Sequence, residues 1–172
     1  MAAVDKGEFT FAVVTMSDKG SRGERVDTSG SHIKETLLEN GYAFGNYTMI
    51  PDSIPVIVET LTELADKQRV ALVVTTGGTG VAPTDVTPEA MQQVIEKEVP
   101  GIAEYMRLES LKKTPHAALS RGKVGIRGAT LIVNLPGSLK AVRENLETIL
   151  PLLPHALEKI RGDEGDCGVI PH

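Results

Sequence analysis

The chain has 172 residues, with 18 lysines and arginines against 23 aspartates and glutamates, a formal net charge of −5. That balance argues against a nucleic-acid binder, which needs a basic face. The length suits one domain with a full core, and with 3% aromatic residues and no tryptophan that core must be aliphatic.

Strand-like and helix-like segments alternate along almost the whole chain. Residues 9–17 (FTFAVVTMS) read as a buried first strand. Asp27-Thr28-Ser29-Gly30 offers caps for a helix that runs to Asn40, with Gly41 closing it. A half-polar second strand over 42–50 belongs nearer a sheet edge. Ser53 and Pro55 then open a helix with Ile57, Leu61 and Leu64 on one face. The β-branched run over 70–75 reads as a third strand, apolar throughout as in a sheet covered on both faces. Helices are expected over 88–98 and 101–111, separated at Pro100-Gly101, and the glycine-rich 122–128 fits either a short strand or a turn. Residues 130–135 (TLIVNL) form the next buried strand. Pro136-Gly137-Ser138 turns it into a helix carrying Val142, Leu146, Ile149 and Leu153, which Pro151 and Pro154 break before a last segment to Ile160. This alternation implies a three-layer α/β domain with a mixed, mostly parallel sheet over residues 1–161, followed by a mobile tail over 162–172. No stretch resembles a signal peptide or a membrane span, so a cytoplasmic setting without membrane contact is expected. The single cysteine, Cys167, fits a reducing compartment.

The richest stretch is residues 73–90, VVTTGGTGVAPTDVTPEA. A strand enters the run Thr76, Gly77, Gly78, Thr79 and Gly80, where glycines let an anion approach the main chain and backbone N–H groups can hold a phosphate. It is neither a P-loop nor a dinucleotide fingerprint. Thr87 and Pro88 supply the next helix start as N-cap and N1, which leaves Asp85 free for function. Parallel strands bring their carboxyl ends to one edge, so Ser17, Asp18 and Asp27 after the first strand, Asp52 after the second and Asp85 after the glycine loop gather there. Four like charges beside a phosphate loop call for a hard cation such as Mg²⁺. Arg121 and Arg127 could meet substrate phosphate or make surface ion pairs. The four histidines show no ligand spacing.

In order along the chain, Ser17-Asp18, Asp27-Thr28-Ser29-Gly30, Pro51-Asp52, TTGGTG (75–80), DVTPEA (85–90), Glu109-Ser110-Leu111-Lys112, Leu119-Ser120-Arg121, Gly125-Ile126-Arg127-Gly128 and NLPGS (134–138) closely resemble the Mog-type molybdopterin adenylyltransferases, relatives of the gephyrin G domain. The similarity spans roughly residues 9–160. It implies the molybdopterin-binding fold, a homotrimer, and AMP transfer from MgATP to the terminal phosphate of molybdopterin, with handover of the product to a molybdenum-inserting enzyme. It further implies that Asp52 serves the adenylation step and that Asp27 and Asp85 are nucleotide and magnesium-site residues. By the same resemblance Thr79 and the glycine loop bind substrate, Ser110 and Ser120 hold the pterin moiety, and Pro136, Gly137 and Ser138 border the pocket. Two departures stand out: Thr84 where the family commonly has arginine, and Leu139 where it has proline. The same fold could also serve a non-catalytic molybdopterin-binding scaffold or a nucleotide-pyrophosphate hydrolase. Intact Asp27, Asp52 and Asp85 favour the enzyme.

Overall fold

A computed structural model describes residues 9–162. The tail expected to be mobile and Cys167 fall outside the described residues, apart from Gly162. Six strands form one sheet: β1 (Thr10–Met16), β2 (Ala43–Ile50), β3 (Leu72–Thr76), β4 (Lys97–Glu98), β5 (Val124–Arg127) and β6 (Thr130–Leu135), in the order β2-β1-β3-β6-β5-β4. The pairs β1/β2, β1/β3 and β3/β6 are parallel, whereas β5 is antiparallel to both β6 and β4. The sheet is thus mixed and mainly parallel, and the half-polar β2 lies at its edge, as its alternation predicts.

The helices are α1 (Asp18–Ser21), α2 (Thr28–Glu39), α3 (Ile54–Thr62), α4 (Thr87–Val94), α5 (Pro100–Leu111), α6 (Leu139–Ile149) and α7 (Leu153–Ile160). They cover both faces of the sheet. Ile33 and Leu37 of α2, Met106 of α5, Leu146 of α6 and Leu157 of α7 pack on Phe11, Val13, Leu72, Val74 and Leu131. Ile57 and Leu61 of α3 and Met91 and Val94 of α4 pack on Val14, Val73 and Ile132. Successive β3 and β6 side chains are buried in alternate layers, which is why these strands are apolar without alternation. Among the described residues no helix is long and apolar enough to cross a membrane.

The sequence-based boundaries need correction in two places. The helix expected over 88–98 stops at Val94, because Ile95 turns extended (φ −74°, ψ 139°) and Lys97–Glu98 pairs with β5. Glu96 and Val99 donate backbone hydrogen bonds of 2.8 Å to Ile126 and Val124. Gly125 makes that approach possible, since any Cβ there would press into Ile95. Leu153 begins α7 instead of extending α6. Pro154 lies in the first turn of α7, where its missing N–H costs nothing, so it starts a helix and does not break one. The glycine-rich 122–128 proves to be a strand that ends in a turn at Gly128, whose φ is 55°.

Candidate active site

The strand order reverses between β1 and β3: from β1 the chain moves to one side to form β2 and to the other to form β3. Open α/β sheets bind ligands in the crevice outside the carboxyl ends of the strands at such a point. Here that crevice is built from the loops after β1, β2, β3 and β6.

The loop after β3 is held from below. Gly77 donates its backbone N–H to the Leu135 carbonyl at 3.3 Å, and its own carbonyl accepts the Thr87 hydroxyl at 3.0 Å. Thr87 donates its backbone N–H to Gly78 at 3.1 Å. Gly77 and Gly78 have φ of 103° and 65°, a region that side-chain-bearing residues avoid. The backbone N–H groups of Gly78, Thr79 and Gly80 and the hydroxyl of the buried Thr79 make no hydrogen bond to any described residue. Buried or half-buried amides are nearly always paired, so three in succession left open are available to a ligand anion. A Cβ at Gly77 would land inside contact distance of the Met16 carbonyl oxygen. Gly77→Ala is therefore expected to cost about 3 kcal/mol, from the left-handed backbone and that clash together. The midpoint of denaturant unfolding measures this directly, and a near-normal midpoint would show that the loop is free to move.

The segment that follows is pinned by Arg121. Its backbone N–H donates to the Thr79 carbonyl at 2.8 Å, Nε donates to the Gly80 carbonyl at 2.7 Å and Nη2 to the Asp85 carbonyl at 2.6 Å, and its guanidinium pairs with Glu89. Arg121 thus ties both ends of the loop and does not line the crevice. Arg127 likewise pairs with Asp66 at 2.7 Å on the surface. Asp85 has the local role that the sequence reading denied it: Oδ2 accepts the Ala82 N–H at 2.8 Å, closing the 82–85 turn. The helix start also differs, since Val86 is the N-cap of α4 and Thr87 its first residue, its hydroxyl turned back to the glycine loop.

Two cavities open on this edge. One, of about 340 Å³, is lined by Ser17, Asp27, Asp52, Thr76, Gly77 and Asp85 among others. The second, of about 430 Å³, is lined by Thr79, Gly80, Arg107, Ser110, Ser120, Pro136 and Asn145 among others. Gly78, Asp85, Gly137 and Ser138 border both. Asp27 and Asp52 therefore line the first lobe alone, Ser110 and Ser120 line the second alone, and Gly78 and Asp85 stand between. Asp18 lines neither lobe. It exchanges hydrogen bonds with Asp52: the Asp18 N–H donates to Asp52 Oδ2 at 3.1 Å, and the Asp52 N–H to Asp18 Oδ1 at 3.0 Å.

Electrostatics separate the acids. Burial pushes the Asp52 carboxyl above its ordinary value; the Asp18 N–H opposes this, and the charges of Asp18 and Asp85 add to it. Asp27 caps α2 through the Gly30 N–H at 2.8 Å, while its Oδ2 accepts the hydroxyls of Thr15 at 2.5 Å and Tyr47 at 2.7 Å. Desolvation, followed by the bond to Asp27, raises the Tyr47 phenol, which stays a donor. In the second lobe Ser110 is held by the Asn145 amide at 3.2 Å, and Arg107 gives one N–H to the Gly122 carbonyl at 3.0 Å.

Sequence reasoning overlooked Thr15, Tyr47, Arg107 and Asn145. Asn145 left a signal: it is a buried polar residue beside Val142, Leu146 and Ile149 on an otherwise apolar helix face. Among the described residues no group of three histidines, cysteines or acids is placed to hold a metal ion.

Fold and crevice together define an α/β domain with a glycine-walled crevice at the switch point of its sheet. Residues 12–155 match the family described as "Probable molybdopterin binding domain", a family of molybdenum cofactor biosynthesis, and the chain belongs to it. It is 44% identical over 156 residues to a molybdopterin adenylyltransferase of Helicobacter pylori J99, covering 89% of this chain and 88% of that one. It is 47% identical over 157 residues to the molybdenum cofactor synthesis protein cinnamon of Drosophila melanogaster, covering 90% of this chain but 26% of that longer protein. Among solved structures it resembles the molybdopterin biosynthesis enzyme MoaB from Thermus thermophilus, with 51% identity, a TM-score of 0.85 and coverage of 90% and 98%.

Proposed function

We propose that the protein is a molybdopterin adenylyltransferase, moving AMP from MgATP to the terminal phosphate of molybdopterin. The observation that carries this reading is the two-lobed crevice, with three open amides of which Gly78 borders both lobes and Thr79 and Gly80 the second. The acid-lined lobe takes the nucleotide and the lobe with Ser110 and Ser120 takes the pterin, so the two phosphate groups meet over Gly78. A phosphate oxygen of molybdopterin attacks the α-phosphorus of ATP. The bond from that phosphorus to the α–β bridging oxygen breaks, and pyrophosphate leaves with its electron pair. No covalent nucleophile is needed, because positioning and charge neutralisation supply most of the acceleration in such transfers.

The donor set suits Mg²⁺, which commonly binds one or two carboxylates and completes its shell with substrate phosphates and water. Asp52 and Asp85 each spend one oxygen on a single hydrogen bond, and their mutual repulsion favours a cation. Asp27 is committed to three hydrogen bonds, so its share of the site is chiefly to position the nucleotide. Once bound, the ion would offset charge on the triphosphate. Incubation with molybdopterin and MgATP, followed by mass spectrometry, tests the reading: an AMP adduct is expected. ATP or its adduct hydrolysed with no adduct accumulating would point to a pyrophosphatase, and binding without turnover to a scaffold.

A homotrimer that hands its product to a molybdenum-inserting enzyme belongs to the same proposal. Tyr105, Leu108 and Leu111 are exposed at spacings of three along α5, with Leu119 exposed beyond them, an apolar stripe that suits burial between subunits. Light scattering should return a trimer for the wild type and a smaller species for Leu108→Asp. A wild-type monomer would remove the trimer from the proposal.

A further inference from the structure

The acid lobe poses a charge problem that the motifs do not solve. Three carboxylates line it, Asp27, Asp52 and Asp85, yet the ligand proposed for it is a triphosphate. Among the described residues that line it, Arg25 is the sole lysine or arginine.

The arrangement around Arg25 leaves its guanidinium free. The neighbouring carboxylate, Glu24, is engaged by Arg22, whose Nε and Nη2 donate to its two oxygens at 2.8 and 3.3 Å. Arg25 itself makes no hydrogen bond or ion pair with any described residue. It lies two residues before Asp27, whose bonds to Gly30, Thr15 and Tyr47 anchor the end of this loop beside the cavity. The same lobe is lined by Thr84, which can offer a phosphate a hydroxyl but no charge. An anion that enters therefore meets one unengaged cationic fork and no other lysine or arginine in the lining.

We propose that Arg25 is a substrate-binding and specificity-determining residue, contacting the phosphates of the nucleotide from the α2-side loop and supplying the positive charge that Thr84 does not. This rests on the nucleotide reading of the acid lobe. An arginine fork matches phosphate geometry and gives charge-assisted hydrogen bonds, whereas a lysine gives a point charge. The contact is with ground-state phosphates as much as with the transition state, so it should govern affinity more than rate.

The test is calorimetric titration of MgATP, and separately of molybdopterin, into wild type, Arg25→Ala, Arg25→Lys and the double variant Arg25→Ala with Thr84→Arg. Arg25→Ala should weaken MgATP about tenfold and leave molybdopterin affinity unchanged, with KM for MgATP rising more than kcat falls. Arg25→Lys should recover part of the loss. The double variant should recover some too, because it returns a guanidinium to the lining of the same lobe. Wild-type MgATP affinity in Arg25→Ala, or equal losses for both ligands, would overturn the assignment. If wild type itself neither binds MgATP nor forms the adduct, the nucleotide reading fails, and the role of Arg25 fails with it.

Discussion

Asp52→Asn is expected to lower the turnover number for AMP transfer by on the order of a hundredfold or more, with molybdopterin affinity near wild type and thermal stability slightly increased at neutral pH. The rate loss follows from position. Asp52 faces the acid lobe beside the glycine loop, and a charge acting on the transition state, directly or through Mg²⁺, affects rate more than binding. The stability gain follows from the sign of its titration. Burial, reinforced by the Asp18 and Asp85 charges, raises the folded-state carboxyl above its unfolded value. Stability is then greatest below the unfolded value and declines as pH rises through the folded one, so the ionised group is a net cost at pH 7. Asparagine removes that charge and can still accept the Asp18 N–H. The gain is small because Asp52 is only half-buried and water screens it. Melting temperatures at pH 7 and near pH 4 check the account: the advantage of the mutant should fade in acid. If Asp52 were only a turn residue, asparagine would leave catalysis near normal, and Asp52→Ala, which removes the acceptor, would cost about 1 kcal/mol with catalysis likewise near normal. In the wild type, the acid limb of the kcat/KM profile should lie above the ordinary carboxylate range.

Asp85 requires a paired experiment, because the structure gives it two roles. Asp85→Asn keeps an acceptor for the Ala82 N–H and removes only the charge, so MgATP affinity should fall about tenfold or more with molybdopterin binding intact. Asp85→Ala also releases the 82–85 turn. That turn belongs to the loop Arg121 clamps at Gly80 and Asp85, on the wall both lobes share, so the alanine variant should weaken both ligands. Ser120→Ala should do the reverse of Asp85→Asn, weakening molybdopterin and sparing MgATP, since its unpaired hydroxyl faces only the second lobe. Titration of both ligands against all three variants separates these outcomes. Matching losses in Asp85→Asn and Asp85→Ala would mean that charge alone accounts for the residue.

Much of this molecule is legible before any coordinates. The apolar runs that became β1, β3 and β6, the capping Asp27 and the closing Gly41 all carry local signals, because buried strands and helix ends depend on nearest neighbours. The glycine loop is legible for the same reason: positive φ at Gly77 and Gly78 is a demand that few residues can meet. The motif order along the chain also shows the family. What sequence could not decide is which atoms of a motif are already in use. The partners that consume the Arg121 side chain, close the turn on Asp85, pair Asp18 with Asp52 and secure Asp27 come from residues between 3 and 41 positions away, with most beyond ten. Charge and spacing alone leave Arg121 open to phosphate contact or ion pairing and give no signal at Arg25; the tertiary structure commits Arg121 to the loop and Glu89 and places Arg25 in the lining of the acid lobe. The two-residue strand β4 shows the same limit, for its few residues are extended only because Gly125 lets them approach β5. Local conformational preference, burial pattern and the glycine loop belong to the sequence itself. The division of the crevice into a lobe with Asp27 and Asp52 and a lobe with Ser110 and Ser120, and the identity of the side chains left free to meet a ligand, depend on long-range contacts that exist only once the sheet has brought the strand ends together.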